Sequence, residues 1–212
     1  CASKKLFDNF LQFDIEGCVE LIKYLVFARK VEDICFYDDA LLANTEKHFL
    51  PICEKLLSEN IKIRFHLPNA VHIKFISRQV AQMFKKLNFS TIRLGFESAD
   101  KNWNLSTSAK YNFSDLDNCI ENLKAVNIDL SIVKAYILTG APGQDLKDIW
   151  DSVDFIKKKG ISADFAFFSP IPETPISFEC IKKFPEIIEE PLLTNSSVFP
   201  VLTGHFFDRR NK

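Results

Sequence analysis

Two hydrophobic rhythms alternate along the chain. Segments with apolar residues three or four apart give way to short runs rich in Ile, Val and Phe, the patterns of amphipathic helices and of strands. Glu16 to Arg29 carries Val19, Ile22, Leu25 and Val26 at helical spacing, and Ile34 to Tyr37 predicts a strand. Thr45 to Ser58 predicts a helix with Phe49, Ile52 and Leu56 on one face, followed by a strand from Ile61 to Leu67 that ends at Pro68-Asn69. Ser77 caps a helix bearing Val80, Phe84 and Leu87, and Thr91 to Glu97 predicts the next strand. Ser114 caps a helix with Leu116, Ile120 and Leu123, before a strand from Ile128 to Leu138. Leu146 to Lys159 predicts a helix stopped by Gly160, and Ala163 to Phe168 the last strand. Ile176 to Glu190 predicts a helix interrupted by Pro185, and Pro191 to Lys212 no regular structure.

Five strands separated by helices, about 30 residues per βα unit, predict a parallel sheet built by crossovers. The strand from Thr91 to Glu97 adds a second clue. Ile92, Leu94 and Phe96 share one face, while Arg93, Gly95 and Glu97 share the other. A flat, doubly wound sheet buries both faces and reads as continuous apolar runs. Alternation favours a curled, TIM-like sheet with a wet lumen. The same parity puts Arg64 with His66, and Lys134 with Tyr136 and Gly140. Such charges either meet a polar ligand or pair among themselves, Arg64, Arg93, Glu97 and Lys134 then forming an internal network.

Composition narrows the class. With 212 residues and 47% hydrophobic content the chain can bury a large core, and 21 Phe against 6 Gly predicts aromatic packing. A net charge of −1 offers no basic excess for nucleic acid. No apolar run is long enough to span a bilayer, and no leader-like segment opens the chain, so a cytoplasmic location is expected. Cys18, Cys35, Cys53, Cys119 and Cys180 fall in predicted helices or strands, form no CxxC pair with one another or with Cys1, and are expected to act as small buried hydrophobes. Cys1 stands apart, ahead of Ala2-Ser3.

In α/β folds, chemistry sits at the carboxyl ends of the strands. Those ends offer Asp38 and Asp39, His66 and Asn69, Glu97 and Ser98, Gly140 to Gln144, and Ser169. The paired carboxylates suit a cation or an ammonium group, or equally an N-cap. The loop of Gly140, Ala141 and Pro142 permits close backbone approach or serves turn geometry alone. His66 is a proton carrier or a hydrogen-bonded structural residue. His48, His72 and His205 show no partners in the sequence.

Taken in order, Cys1-Ala2-Ser3, Phe36-Tyr37-Asp38-Asp39, Pro68-Asn69-Ala70, Leu94-Gly95-Phe96-Glu97-Ser98, Gly140-Ala141-Pro142-Gly143-Gln144 and Ser169-Pro170-Ile171-Pro172 resemble a radical SAM enzyme core. The closest likeness is to the class whose longer members carry an upstream cobalamin-binding domain. The resemblance covers Cys1 to about Pro175.

It implies a partial (β/α)6 barrel lacking its first strand, residues 1–175 as an incomplete core, and 176–212 as a C-terminal extension. It implies a [4Fe-4S] cluster held by a CxxxCxxC loop, S-adenosylmethionine (SAM) bound to it, and reductive cleavage of SAM to methionine and a 5′-deoxyadenosyl radical. By position, Cys1 matches the third cluster cysteine. Asp38 and Asp39 fall where the family meets the SAM amino group, and Glu97 where it meets the ribose or methionine moiety. Lys134 is placed to pair with the SAM carboxylate, and Gly140 to Pro142 and Ser169 lie on the adenine side. Glu173 replaces a Gly that usually follows Pro-Ile-Pro. If Cys1 is the third ligand, two cysteines and a strand are missing, and one thiolate holds no cluster. The chain as written is then expected to be inactive, with the edge of the 34–37 strand open to an upstream domain or partner. The alternatives are a non-catalytic SAM- or nucleoside-binding remnant, and a non-radical TIM-type enzyme using Glu97 and His66 as acid and base.

Overall fold

The computed structural model describes residues 9–100, 103 and 112–204. Its centre is a five-stranded parallel sheet: β1 (Asp33–Cys35), β2 (Arg64–Val71), β3 (Phe89–Glu97), β4 (Val133–Thr139) and β5 (Ser162–Phe167). The spatial order equals the sequence order. The order never reverses, so right-handed crossovers deposit the connecting helices on one side only. That is the winding of a barrel rather than of a doubly wound sheet. β1 and β5 do not pair with each other, so the sheet is an open, partial barrel.

The helices are α1 (Ile15–Lys23, continued by a π turn at Tyr24–Ala28), α2 (Phe49–Ser58), α3 (Arg78–Lys86), α4 (Phe113–Ala125) and α5 (Leu146–Lys158). Ser77 caps α3 by accepting a hydrogen bond from the Val80 amide, as its sequence predicts. The α4 cap is Asn112 rather than Ser114: the Asn112 amide donates to Asp115 Oδ2 at 2.8 Å, a capping-box contact. Gly160 follows α5 at φ +83°, the left-handed stop that glycine tolerates.

Two strands differ from their predicted limits by more than two residues at one end or both. β2 runs through Pro68 to Val71, because the register slips between Leu67 and Val71 and a bulge accepts a residue without an N–H. β4 starts at Val133, not Ile128. Asp129 accepts from the Ser131 amide and winds Leu130–Ile132 into a 3-10 turn first.

The two faces of the sheet are unlike. Phe65, Leu67, Ile92, Leu94, Phe96, Val133, Ala135 and Ile137 point to the helices and are at most 1% exposed. Aromatic rings knit that layer together. Phe36, Phe65 and Phe89 form a mutually stacked trio, and Phe96 stacks on Phe155 at 5.6 Å. The opposite face carries Arg64, His66, Thr91, Arg93, Lys134, Tyr136 and Asp164, all at least partly exposed.

The tail departs from its prediction. After α6 (Pro175–Lys183) and α7 (Glu186–Glu189), a 3-10 turn (Pro191–Thr194) and α8 (Phe199–Leu202) give 191–202 regular structure. Burial of Phe199 and Ile187 against Phe168, Cys180 and Ala141 drives this, a tertiary effect that local periodicity does not show. Pro191 and Pro200 fall in first turns, where the missing N–H costs no bond.

Candidate functional site at the strand ends

The end of β3 carries the clearest backbone anomaly. Glu97 has φ +69°, and the Ser98 amide donates to the Phe96 carbonyl at 2.9 Å. That bond closes a γ-turn of the rare positive-φ kind around Glu97. A side chain in this region is strained by about 1–3 kcal/mol, and such strain collects at ligand-binding positions. The turn coincides with a register slip: Gly95 stands opposite Tyr136, but Glu97 stands opposite Ile137. The strict parity expected between Arg93 and Glu97 is therefore broken at the strand end. Ser98, only 3% exposed, accepts from the Asp100 amide and fixes the chain as it leaves the turn.

Below this rim, the polar face holds two ion clusters. Lys134 Nζ and Arg93 Nε both meet Asp164, at 2.9 and 3.1 Å. Arg64 grips Asp33 with two bonds of 2.6 Å, and His66 bridges Asp33 (2.9 Å) and Thr91 (2.9 Å). The Arg64 guanidinium, then His66, hold the Asp33 carboxyl down at about 2. The three cations named for an internal network, Arg64, Arg93 and Lys134, pair with Glu32, Asp33 and Asp164. His66 is a bridging residue across three strands.

At the β1 end, Asp38 and Asp39 are both exposed. Because β1 stops at Cys35, the strand parity that would turn one of them, not both, to the lumen does not govern 38 and 39. Asn69 links this segment to β2 by donating to the Tyr37 carbonyl at 2.8 Å. Tyr136 reaches across to donate to the Pro68 carbonyl at 2.9 Å.

The Gly140 loop is held from inside. Gln144 Oε1 accepts from the Gly140 and Ala141 amides (3.0 and 3.3 Å), and its Nε2 donates to the Leu138 carbonyl (2.7 Å). These two amides are thus engaged rather than open to a ligand, and Ala141 is fully buried. Pro142 is partly exposed beside Gly143, whose Cα faces open space. Ser169, at the β5 end, donates to the Thr194 carbonyl.

Two further expectations change. His48 does have partners, Gln12 Nε2 at 3.1 Å and the Phe13 carbonyl at 2.8 Å. Cys35 is exposed rather than buried, because it falls on the polar face opposite His66. Cys53, Cys119 and Cys180 are buried free thiols, and burial pushes Cys119 up to about 12 and Cys180 to about 11. Cys1 lies outside the described residues. Among those described, no three His, Cys, Asp or Glu side chains group to hold a metal ion, so they give a cluster no ligand set. No helix among them is long and apolar enough to cross a membrane.

Because the sheet is parallel and ordered, Asp38-Asp39, Asn69, Glu97-Ser98, Gly140 to Pro142 and Ser169 occupy the carboxyl ends of five adjacent strands on one rim. Asp33, Thr91 and Asp164 are the polar-face residues that sequence inspection missed. Asp164 had a signal, since it is the one charged residue between Ile161 and Phe168.

Solved structures share this architecture. TsrM from Kitasatospora setae is a radical S-adenosylmethionine methyltransferase solved with cobalamin and a [4Fe-4S] cluster bound. It matches 81% of this chain at TM-score 0.67 and 14% identity. The same enzyme with tryptophan substrate and the SAM analog aza-SAM gives the same TM-score. OxsB, a cobalamin-dependent S-adenosylmethionine radical enzyme solved with aqua-cobalamin and S-adenosylmethionine, matches 86% of the chain at TM-score 0.56 and 13% identity. At such identities the likeness is one of fold. The matched region is about a third of TsrM (32%) and 26% of OxsB. No curated protein matches the chain significantly. The family model of the Radical SAM superfamily matches residues 1–156, and the chain belongs to that superfamily.

Proposed function

We propose that this chain supplies the SAM-holding wall of a radical SAM enzyme. The observation that carries the reading is the strained γ-turn at Glu97, which sets a carboxylate-bearing residue at the end of the central strand of the rim. Glu97 and Ser98 are assigned to the ribose or methionine moiety of SAM. Asp38 or Asp39 takes the amino group, an exposed acid facing an ammonium. Lys134 takes the SAM carboxylate. It shares Asp164 with Arg93, so two cations stand side by side on the polar face. The partly exposed Pro142 and Ser169 form the adenine side, on a loop whose Gly140 and Ala141 amides Gln144 holds in shape, with His66 and Asn69 bracing the rim from β2.

Bound to a reduced cluster, SAM supplies the family's one-electron radical chemistry; Cys1 is the residue of this chain assigned to that cluster. This chain's described residues bind and orient SAM, and hold the charges of the polar face in fixed pairs. The free thiols Cys18, Cys35, Cys53, Cys119 and Cys180 suit a reducing compartment, and we place the protein in the cytoplasm.

Equilibrium dialysis with labelled SAM on the chain extended upstream of Cys1 to restore the CxxxCxxC loop, carried out anaerobically before and after iron and sulfide reconstitution, tests the reading. Saturable binding that strengthens as a visible-range cluster absorbance develops is expected. Binding without any absorbance favours a non-catalytic SAM-binding domain, and no binding in either state rejects both.

A further inference from the structure

Two rim elements assigned to the adenine side, the Gly140 loop and Ser169, are both fastened to the tail. At Gly140, φ is +90°, and an added Cβ would sit 3.1 Å from Pro200 Cβ and 3.2 Å from Pro200 Cγ. The Pro200 ring therefore lies directly against the Gly140 backbone. The Thr203 hydroxyl is 3.2 Å from the Gly140 carbonyl, which competes for its single proton with the Pro200 carbonyl at 3.1 Å. Ala141 is enclosed with Phe168, Cys180, Ile187 and Phe199 in a cluster distinct from the main core. Phe199 meets both Phe168 and Phe184, at 5.7 and 5.8 Å between ring centres. Ser169 donates to the Thr194 carbonyl.

These contacts have one consequence in common. The loop leaves β4 and the turn leaves β5 where the ladder ends, with the Phe168 amide donating to the Thr139 carbonyl at 2.8 Å. Gln144 closes the loop on itself and ties it to Leu138. The tail supplies outer support to both, through Pro200 and Thr203 at Gly140 and through Thr194 at Ser169.

We infer that Pro200 and Thr203 are positioning residues: the segment from Pro191 to Thr203 clamps the Gly140 loop and the Ser169 turn in the shape that receives the nucleoside end of SAM. The role is indirect, because the clamp acts through the loop and touches the rim from behind. The inference rests on the SAM assignment above and adds a part that the tail plays in it.

The test uses the full chain and its variants Pro200→Ala, Thr203→Val and Thr203→Ser, with two readouts. Hydrogen exchange of the Gly140, Ala141 and Gln144 amides reports the clamp without any ligand, with β3 amides as internal reference. Isothermal titration with S-adenosylhomocysteine reports the site. In Pro200→Ala and Thr203→Val, exchange in the loop is expected to rise on the order of tenfold while β3 is unchanged, the scale of one hydrogen bond and a few methylenes. Affinity for S-adenosylhomocysteine is expected to fall severalfold in parallel, and Thr203→Ser is expected to restore both. Unchanged loop exchange overturns the clamp. So does faster loop exchange with wild-type affinity, because the loop would then be held but not shaped for binding. A wild-type chain that fails to bind the probe overturns the SAM assignment itself, and the inference falls with it.

Discussion

Replacing Glu97 separates backbone strain from ligand contact. Its φ of +69° lies in the left-handed region, which costs a residue with a Cβ about 1–2 kcal/mol. Alanine at 97 keeps that strain and deletes the carboxylate. Glycine deletes both, but gives back about 0.5–1 kcal/mol through the freedom of its unfolded chain. The two variants therefore share every side-chain loss and differ by the turn. Glu97→Gly should be more stable than Glu97→Ala by about 1 kcal/mol, or about 2–4 °C in Tm for a domain of this size. Both should bind SAM more weakly than wild type, on the order of tenfold or more, since a charge-assisted hydrogen bond is worth about 1.5–3 kcal/mol. Urea unfolding and SAM titration on the three proteins measure the two effects separately. Equal stability of the Gly and Ala variants would refute the strain argument. Wild-type affinity in both would remove Glu97 from the SAM site.

Three other outcomes follow from the same geometry. Glu173, where the family usually has Gly, keeps φ +62°, so Glu173→Gly should stabilise the fold by about 1 kcal/mol in urea unfolding; destabilisation would show that the Glu side chain outweighs the turn. The Asp33 carboxyl is held at about 2, below its unfolded value of about 3.9. A depressed folded value means that its stabilisation is present above pH about 4 and is lost as pH falls toward 2, so Asp33→Asn should flatten the acid limb of stability over that window. Among the cysteines of the described residues, exposed Cys35 should take iodoacetamide at pH 8 well before buried Cys53, Cys119 and Cys180, as peptide mass spectrometry would show; early labelling of Cys119 would contradict its packing.

Much of the fold can be read from periodicity, because helix and strand patterns here rest on local side-chain spacing. The polar face was legible in Arg93 and Lys134, where strict alternation sets charges between buried Ile92 and Leu94, and between Val133 and Ala135. Its pairing was not, because Asp33 and Asp164 come from other strands and only the register brings them to Arg64 and Lys134. Positive φ at Glu97 is equally invisible, since a γ-turn at a strand end has no composition signal of its own. Glu173 is the exception. The likeness to a family with Gly there flags the position, and the backbone indeed keeps the left-handed shape that Gly favours. The tail was least legible: Phe199 and Ile187 form no helical stripe, and only the partner cluster around Phe168 and Cys180 gives them a reason to be ordered.

The central claim is that SAM lies along one rim of the sheet. Amide chemical-shift mapping with S-adenosylhomocysteine on the labelled full chain tests it most directly. The account predicts perturbations concentrated at Glu97, Ser98, Lys134, Ala141 and Ser169, with Asp38 or Asp39 beside them. Perturbations confined to the outer cleft between Ile73–Ser77 and Asn118–Asn122 would contradict it.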